Sequence, residues 1–268
     1  MFENAASYPL NVDAVIVGHT SKDGTVGFYD DGCPTRYTPS TAAQYKAALH
    51  THQWSPTRAA AIMKQYPLSR FNQDLVSAFM QVDSDHAVAC PTHRLARVLA
   101  QRGVSVYAFE FAHFHHLGCD PAVSLGLVSK SNPDTVGWAT HGSDVKFTFG
   151  TTLGVNAYGQ PIHCDFNEVE SKLSQEIRQY WISFAVSGKP TSQSARVEWP
   201  QFNATPIALI NRSGRMRRVA RSGGRNASSS SAKSGATTTQ VMYLEVGGGL
   251  QVKANNHAGD CYFWNNIQ

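Results

Sequence analysis

The fold class this 268-residue sequence predicts is α/β, with a largely parallel sheet. Three observations predict it. Short apolar runs end in glycine or charged turns. Between them lie stretches with apolar residues three and four positions apart, and the two kinds of segment alternate along the chain. The first run, AVIV (14–17), stops at Gly18 and has the signature of a buried strand. Phe71, Leu75 and Phe79 stand four apart and predict a helical face over 71–81. Pro91 suits the first turn of a second helix, with Leu95, Val98 and Leu99 inward and Gly103 as the stop. VSVYAFEF (104–111) follows as a strand rich in β-branched and aromatic residues. Asn167 with Glu170 three positions on predicts a capped helix start. Val169, Leu173, Ile177, Tyr180, Trp181 and Phe184 form its stripe, and Gly188 and Pro190 end it.

One segment departs from this pattern. RSGRMRRVARSGGRNASSSSAKSGATTTQ (212–240) is almost devoid of apolar residues, so little in it offsets the entropy of ordering, and it is predicted to be a disordered insertion within a single unit spanning 1–268. Apolar sequence resumes at VMYLEV (241–246). The insertion also dominates the charge. Arg212, Arg215, Arg217, Arg218, Arg221 and Arg225 account for six of the 23 basic residues, which leaves 17 against 19 acidic ones. Apart from those six arginines the chain is near neutral at −2, which argues against a nucleic-acid partner. No apolar run approaches the roughly 20 residues of a membrane span, and the N-terminus MFENAASYPLNVD lacks the pattern of a signal peptide.

Five cysteines (33, 90, 119, 164 and 261) occur without a CxxC pair, which disfavours a structural zinc site. Asn203, Asn211 and Asn226 open Asn-x-Ser/Thr sequons and are candidate glycosylation sites. Two places could carry chemistry. The first strand runs into GHTSKDGT (18–25), which puts Asp23 at a strand's carboxyl end, where open α/β sheets place functional groups. In WATHGSDVKFTFG (138–150), His141 precedes a glycine, a polar turn and an aromatic pair, Phe147 and Phe149, expected on one face. FAHFHH (111–116) crowds His113, His115 and His116. On a strand the first two would share a face and the third would point away, which suits structure better than a metal.

The segment around His141 resembles the histidine segment of the type-B carboxylesterase and cholinesterase family: His-Gly-x-Asp/Glu, then an apolar residue, any residue, Phe, an apolar residue and Phe-Gly. Further similarities follow in family order. DHAVACP (85–91) is similar to Asp-His-x-x-x-Cys-Pro, and VYAFEFAH (106–113) to the family's Tyr-x-Tyr-x-Phe-x-His strand. LSQEIRQYWISFAVSGKP (173–190) with Glu198-Trp199-Pro200 is similar to its long helix and following Trp-Pro. DCYFW (260–264) is similar to its C-terminal Cys-x-Phe-Trp.

This resemblance implies the C-terminal part of an α/β-hydrolase, with an incomplete sheet, from a serine esterase or lipase-like enzyme. It implies that His141 is the triad base and that Asp23 is the triad acid, in place of the usual glutamate, its shorter arm offset by movement of the loop. It also implies a disulfide between Cys90 and Cys261 and an oxidising, secreted or extracellular location. The substrate would be a small-molecule or lipid ester, with no cofactor and no metal. Gly-x-Ser-x-Gly does not occur in the chain. The nucleophile is therefore expected in an N-terminal half, without which the chain is predicted to be inactive, to expose an unpaired strand edge and to fold poorly or associate. Two other readings stand beside this one: a non-catalytic adhesion or binding protein of cholinesterase type, or an incomplete gene product with no activity of its own.

Overall fold

The computed structural model describes residues 9–26, 41–51, 54–116, 119, 138–155, 160–194, 197–203, 239–244, 250–254 and 257–267. The Arg- and Ser-rich stretch 212–240 lies outside them except for its last two residues, as do Cys33, Asn211 and Asn226.

Four strands form the main sheet. β1 (Ala14–Thr20) and β2 (Ser105–Phe111) run parallel in the register Ala14 to Ser105 through Thr20 to Phe111. β2 pairs in parallel with β5 (Gln240–Leu244), which turns antiparallel into β6 (Gln251–Ala254), so the order is β1-β2-β5-β6. β3 (Leu153–Val155) and β4 (Pro161–His163) make a separate antiparallel pair. The helices are α1 (Ala42–Thr51), α2 (Pro56–Gln65), α3 (Leu75–Ser84), α4 (Cys90–Gln101), α5 (Ser143–Phe149), α6 (Glu168–Ser187) and α7 (Ala258–Asn266). None of the described helices is long and apolar enough to cross a membrane.

Strand alternation sorts the core into two layers. Tyr107, Phe109, Phe111, Met242 and Leu244 face one way and pack on Leu173, Ile177 and Tyr180 of α6. Val106, Ala108 and Val241 face the other way, against Ala96 and Leu99 of α4. Each such side chain, taken fully out of water, contributes on the order of 1.5–3 kcal/mol. A third cluster is mostly helical, from Tyr45 and Leu49 through Ile62, Tyr66, Phe79 and Met80 to Trp264. There α7 is held by the Cys90–Cys261 disulfide, by Arg70 against Asp260 at 2.7 and 2.8 Å, and by Trp264 Nε1–H donating to Tyr66 Oη at 2.6 Å. A second disulfide joins Cys119 to Cys164, a pairing that the sequence left open. The disulfides close separations of 171 and 45 residues, which in the chain-entropy model contribute about 5 and about 4 kcal/mol.

Several local expectations are corrected. Phe71 does not belong to the helix of Leu75 and Phe79; it closes a short turn, Leu68–Phe71, after which Asn72 and Gln73 take positive φ and Asp74 caps α3. Pro91 stands in the first turn of α4 as expected, but a wide π turn, Asp85–Ala89, joins that helix to α3 without a break. The most buried line on α4 is Cys90, His93 and Ala96 rather than Leu95 and Val98. The α6 start matches expectation: the Asn167 side chain accepts from Glu170 N–H, and the Glu170 carboxylate accepts from Asn167 N–H. Val169, however, is exposed and lies outside the buried stripe. Among the described residues no strand pairs with the outer side of β1, and five of its seven residues are only partly buried.

Candidate active site

β1 ends at Thr20, and the chain turns at once into a short 3-10 turn, Asp23–Val26. Two neighbours clamp this turn by backbone. Ser21 N–H donates to Phe111 O at the end of β2 at 2.8 Å, and Lys22 N–H to Ala139 O at 3.0 Å. Lys22 and Thr140 form a parallel bridge, so the segment carrying His141 runs alongside the segment carrying Asp23. Gly142 follows with φ +79°, a conformation in which any side chain is strained, and this permits the chain to reverse into α5. His141 is thereby presented at the carboxyl edge of β1 and β2.

The structure brings Asp23 and His141 together. His141 Nδ1 lies 2.6 Å from Asp23 Oδ1, while Thr20 N–H donates to Asp23 Oδ2 at 2.6 Å. The carboxylate is nearly buried, at 6% exposure, and the imidazole is 49% exposed. One face of the pair is therefore desolvated and the other is open. The turn itself carries the short aspartate arm to the ring, because Asp23 is tied back to Thr20 three residues earlier.

Gly24 explains how the turn sits so deep. Its N–H donates to Ser84 Oγ at 2.8 Å, and Ser84 Oγ–H donates to Met80 O at 2.6 Å. A Cβ at Gly24 would stand 2.5 Å from Ser84 N and 2.8 Å from Met80 O, both backbone atoms of α3. Gly24→Ala is accordingly expected to cost about 1–3 kcal/mol in denaturant melts and to shift Asp23 away from His141. An unchanged midpoint would show that α3 yields easily.

Beneath the pair runs a polar network that sequence reading missed. Lys22 Nζ–H donates to Gln81 Oε1 at 2.6 Å, Gln81 Nε2–H to Asp85 Oδ1 at 3.1 Å and Tyr66 Oη–H to Asp85 Oδ2 at 2.9 Å. Burial pushes the Lys22 ammonium down, with Asp85 and Glu110 opposing that shift, and burial together with Asp85 raises the Tyr66 hydroxyl. Asp85 opens the DHAVACP segment and is fully buried, so its carboxylate anchors the π turn.

On the α6 side, His113, His115 and His116 all lie beyond β2 and converge on one residue, contrary to the expectation that His116 points away. Glu170 Oε1 lies 2.9 Å from His113 Nε2 and accepts from His116 N–H at 2.7 Å; Glu170 Oε2 meets His116 Nδ1, and His115 Nε2–H donates to Cys164 O at 3.0 Å. Burial raises the Glu170 carboxyl, but His113 and the backbone donors outweigh it and hold the group down at about 2. Phe147 is buried against this cluster, with ring centroids 5.1 Å from Phe111 and 5.3 Å from His113. Phe149 is 74% exposed, because two residues apart on a helix do not share a face; the single aromatic face predicted there is overturned.

Three described groups of side chains have ligand atoms near enough to hold a metal: His115, His116 and Glu170; His19, Glu110 and His257; and Asp85, His257 and Asp260, which shares His257 with the second. Sequence reading missed the second group, which two signals could have found. His19 continues the alternation of Val15 and Val17 on one strand face, and Glu110 is the lone acid within VSVYAFEF.

A model of the carboxylesterase family matches residues 4–227. The chain belongs to the carboxylesterase family. Its four-stranded, mostly parallel sheet with helices on both faces is part of an α/β-hydrolase fold. The carboxylesterase chain is similar to acetylcholinesterase of Leptinotarsa decemlineata, 29% identical over 133 residues, covering 49% of this chain and 17% of that protein. Carboxylesterase 1C of Mus musculus is 28% identical over 113 residues, with 42% and 17% covered. The medium-chain fatty acyl-CoA hydrolase precursor of Anas platyrhynchos is 33% identical over 110 residues, with 41% and 16% covered. The matched stretch thus spans less than a fifth of each relative's length.

Proposed function

We propose that this chain supplies the acid and the histidine of a serine hydrolase acting on carboxylic esters, and that the hydroxyl nucleophile arrives on an N-terminal half of the same hydrolase domain. The observation that carries this reading is the 2.6 Å contact between His141 Nδ1 and Asp23 Oδ1, at the carboxyl edge of the parallel strands of a carboxylesterase-family chain.

The pair defines the division of labour. Asp23 accepts from Nδ1–H and holds the ring in the tautomer whose Nε2 faces chemistry. Nε2 takes the proton from the serine hydroxyl as its oxygen attacks the ester carbonyl, then returns it to the departing alcohol, leaving an acyl-enzyme. A water molecule, deprotonated by the same nitrogen, releases the acid and regenerates the serine. The nearly buried Asp23 carboxylate stabilises the imidazolium formed in each step. No cofactor enters, and a small-molecule or lipid ester is the substrate class.

The outer edge of β1 supports the second part of the proposal, since a further strand can add there and cover a partly buried row of Ala14, Val15, Ile16 and Val17. The two disulfides and the exposed Asn203 sequon support a secreted or extracellular location.

The test is complementation. The chain is co-expressed with a carboxylesterase N-terminal half that carries Gly-x-Ser-x-Gly, and hydrolysis of a p-nitrophenyl ester is followed. Activity is expected only in the combined preparation, and it is expected to disappear with His141→Ala. Turnover by the chain alone that survives His141→Ala would overturn the proposal.

A further inference from the structure

We infer that His19, Glu110 and His257 form a buried site for a divalent ion of the zinc class, with His93 positioned as a fourth donor. Register and strand alternation create this site. His19 and Glu110 are cross-strand partners in the β1–β2 register and share the sheet face that packs on α4. His93 lies on the buried line of α4, and His257 is the residue immediately before α7. The ring of His19 is 5.6 Å from that of His93 and 5.5 Å from that of His257, and the rings of His93 and His257 are 6.1 Å apart, centroid to centroid.

The protonation pattern points to a ligand. The Nδ1–H of His19 donates to Thr20 O at 2.9 Å, so its lone pair sits on Nε2. That nitrogen is buried and has no hydrogen-bond partner among the described residues, and the same is true of Nε2 of His93. The two residues are only 5% and 6% exposed. Two buried acceptor-capable nitrogens left without partners in one cluster carry a desolvation cost that a metal ion would remove.

Geometry and outer contacts fit the same reading. One donor atom each from His19, Glu110 and His257 lies within 4.8 Å of the other two. The His257 Nε2 to Glu110 Oε2 distance of 3.3 Å is close to the about 3.4 Å between two ligand atoms on a tetrahedral ion. His257 Nδ1 lies 2.9 Å from Asp85 Oδ1, so a carboxylate stands behind the ring, which ligates through Nε2 once the ion displaces the proton held there; the Thr20 carbonyl stands behind His19 in the same way. The donor set, two or three imidazoles and one carboxylate, suits zinc. In the His113–His116 cluster both Glu170 oxygens meet histidine and backbone donors. The absence of CxxC had disfavoured a cysteine site; the site inferred here contains no cysteine. Bound there, the ion would join β1, β2 and the start of α7 at one point.

The test uses the full chain, stripped with a chelator and dialysed against micromolar zinc, with near-UV circular dichroism reporting the folded state and elemental analysis the metal. About one zinc per chain is expected. Affinity is expected to fall at least about tenfold in His19→Gln and Glu110→Gln, with His116→Gln unchanged. A variant that fails to fold would lose metal trivially, so the unaltered chain is also loaded with cobalt(II), where the strong visible bands of a four-coordinate ion are expected. Folded wild-type chain that retains no zinc, weak octahedral cobalt bands, or metal lost in His116→Gln but kept in His19→Gln would each overturn the inference.

Discussion

Asp23→Asn, assayed with the N-terminal half present, is expected to lower kcat about 10⁴-fold while leaving KM nearly unchanged. The asparagine side chain occupies almost the same volume and can keep the Thr20 N–H contact through its oxygen. Its amide nitrogen would then face His141 Nδ1, which is 2.6 Å from the carboxylate oxygen in the native pair. That nitrogen donates and cannot accept, so the ring turns or changes tautomer, Nε2 carries a hydrogen, and the serine proton has no acceptor. The imidazolium of the transition state also loses its counter-charge. A merely structural role for Asp23 would predict a loss of stability with kcat preserved in the folded fraction, and that outcome would remove Asp23 from the catalytic pair. Asp23→Glu adds discrimination. Glutamate is the usual family residue at this place, so partial activity is expected from the longer arm, well above that of the asparagine variant.

Glu170→Gln is expected to be the largest single loss of stability outside the aromatic core. The carboxylate is fully buried, lies against His113 Nε2 and His116 Nδ1, and accepts from the N–H groups of His116 and Asn167. Its folded value of about 2 lies below the ordinary value of 4.5. A depressed carboxylate contributes stability that is fully present above about pH 4.5 and is lost as the pH falls through about 2. That contribution amounts to no more than about 3 kcal/mol. The glutamine variant should therefore be less stable by up to that amount at pH 6–7, and its stability should change less between pH 4.5 and 2. Urea melts across that range measure both. An acid limb identical in the two proteins would show that other groups govern acid unfolding.

How much of this was legible beforehand differs from element to element. β1, β2 and α6 could be read directly, because their signals are local: an apolar run closed by glycine, a β-branched and aromatic run, and a cap with a partner three residues on. Phe71 misled because the four-residue spacing continues across a break, and the break depends on Asn72 and Gln73 adopting positive φ, which no periodicity reveals. The Phe147 and Phe149 reading failed for a related reason. Alternation was assumed where the turn at Gly142 starts a helix, and a helix separates residues two apart. Glu170 was visible as a cap but not as the point where three histidines meet, since those histidines come from a segment more than 50 residues away.

Asp23 and His141 could be picked out along the chain as a carboxylate after a strand and a histidine before a glycine, and motif order joined them. Their contact, 118 positions apart in sequence, is a property of the folded molecule, made by the Lys22–Thr140 bridge and the Ser21 and Lys22 hydrogen bonds. Local sequence thus determined which segments become strands and helices, because propensity, capping and periodicity act over a few residues. Only the tertiary structure decided the company each polar side chain keeps: Asp85 beneath the Asp23–His141 pair, and His19 beside Glu110, His93 and His257. Strand register and helix packing set those distances, and they draw on residues that the chain itself holds far apart.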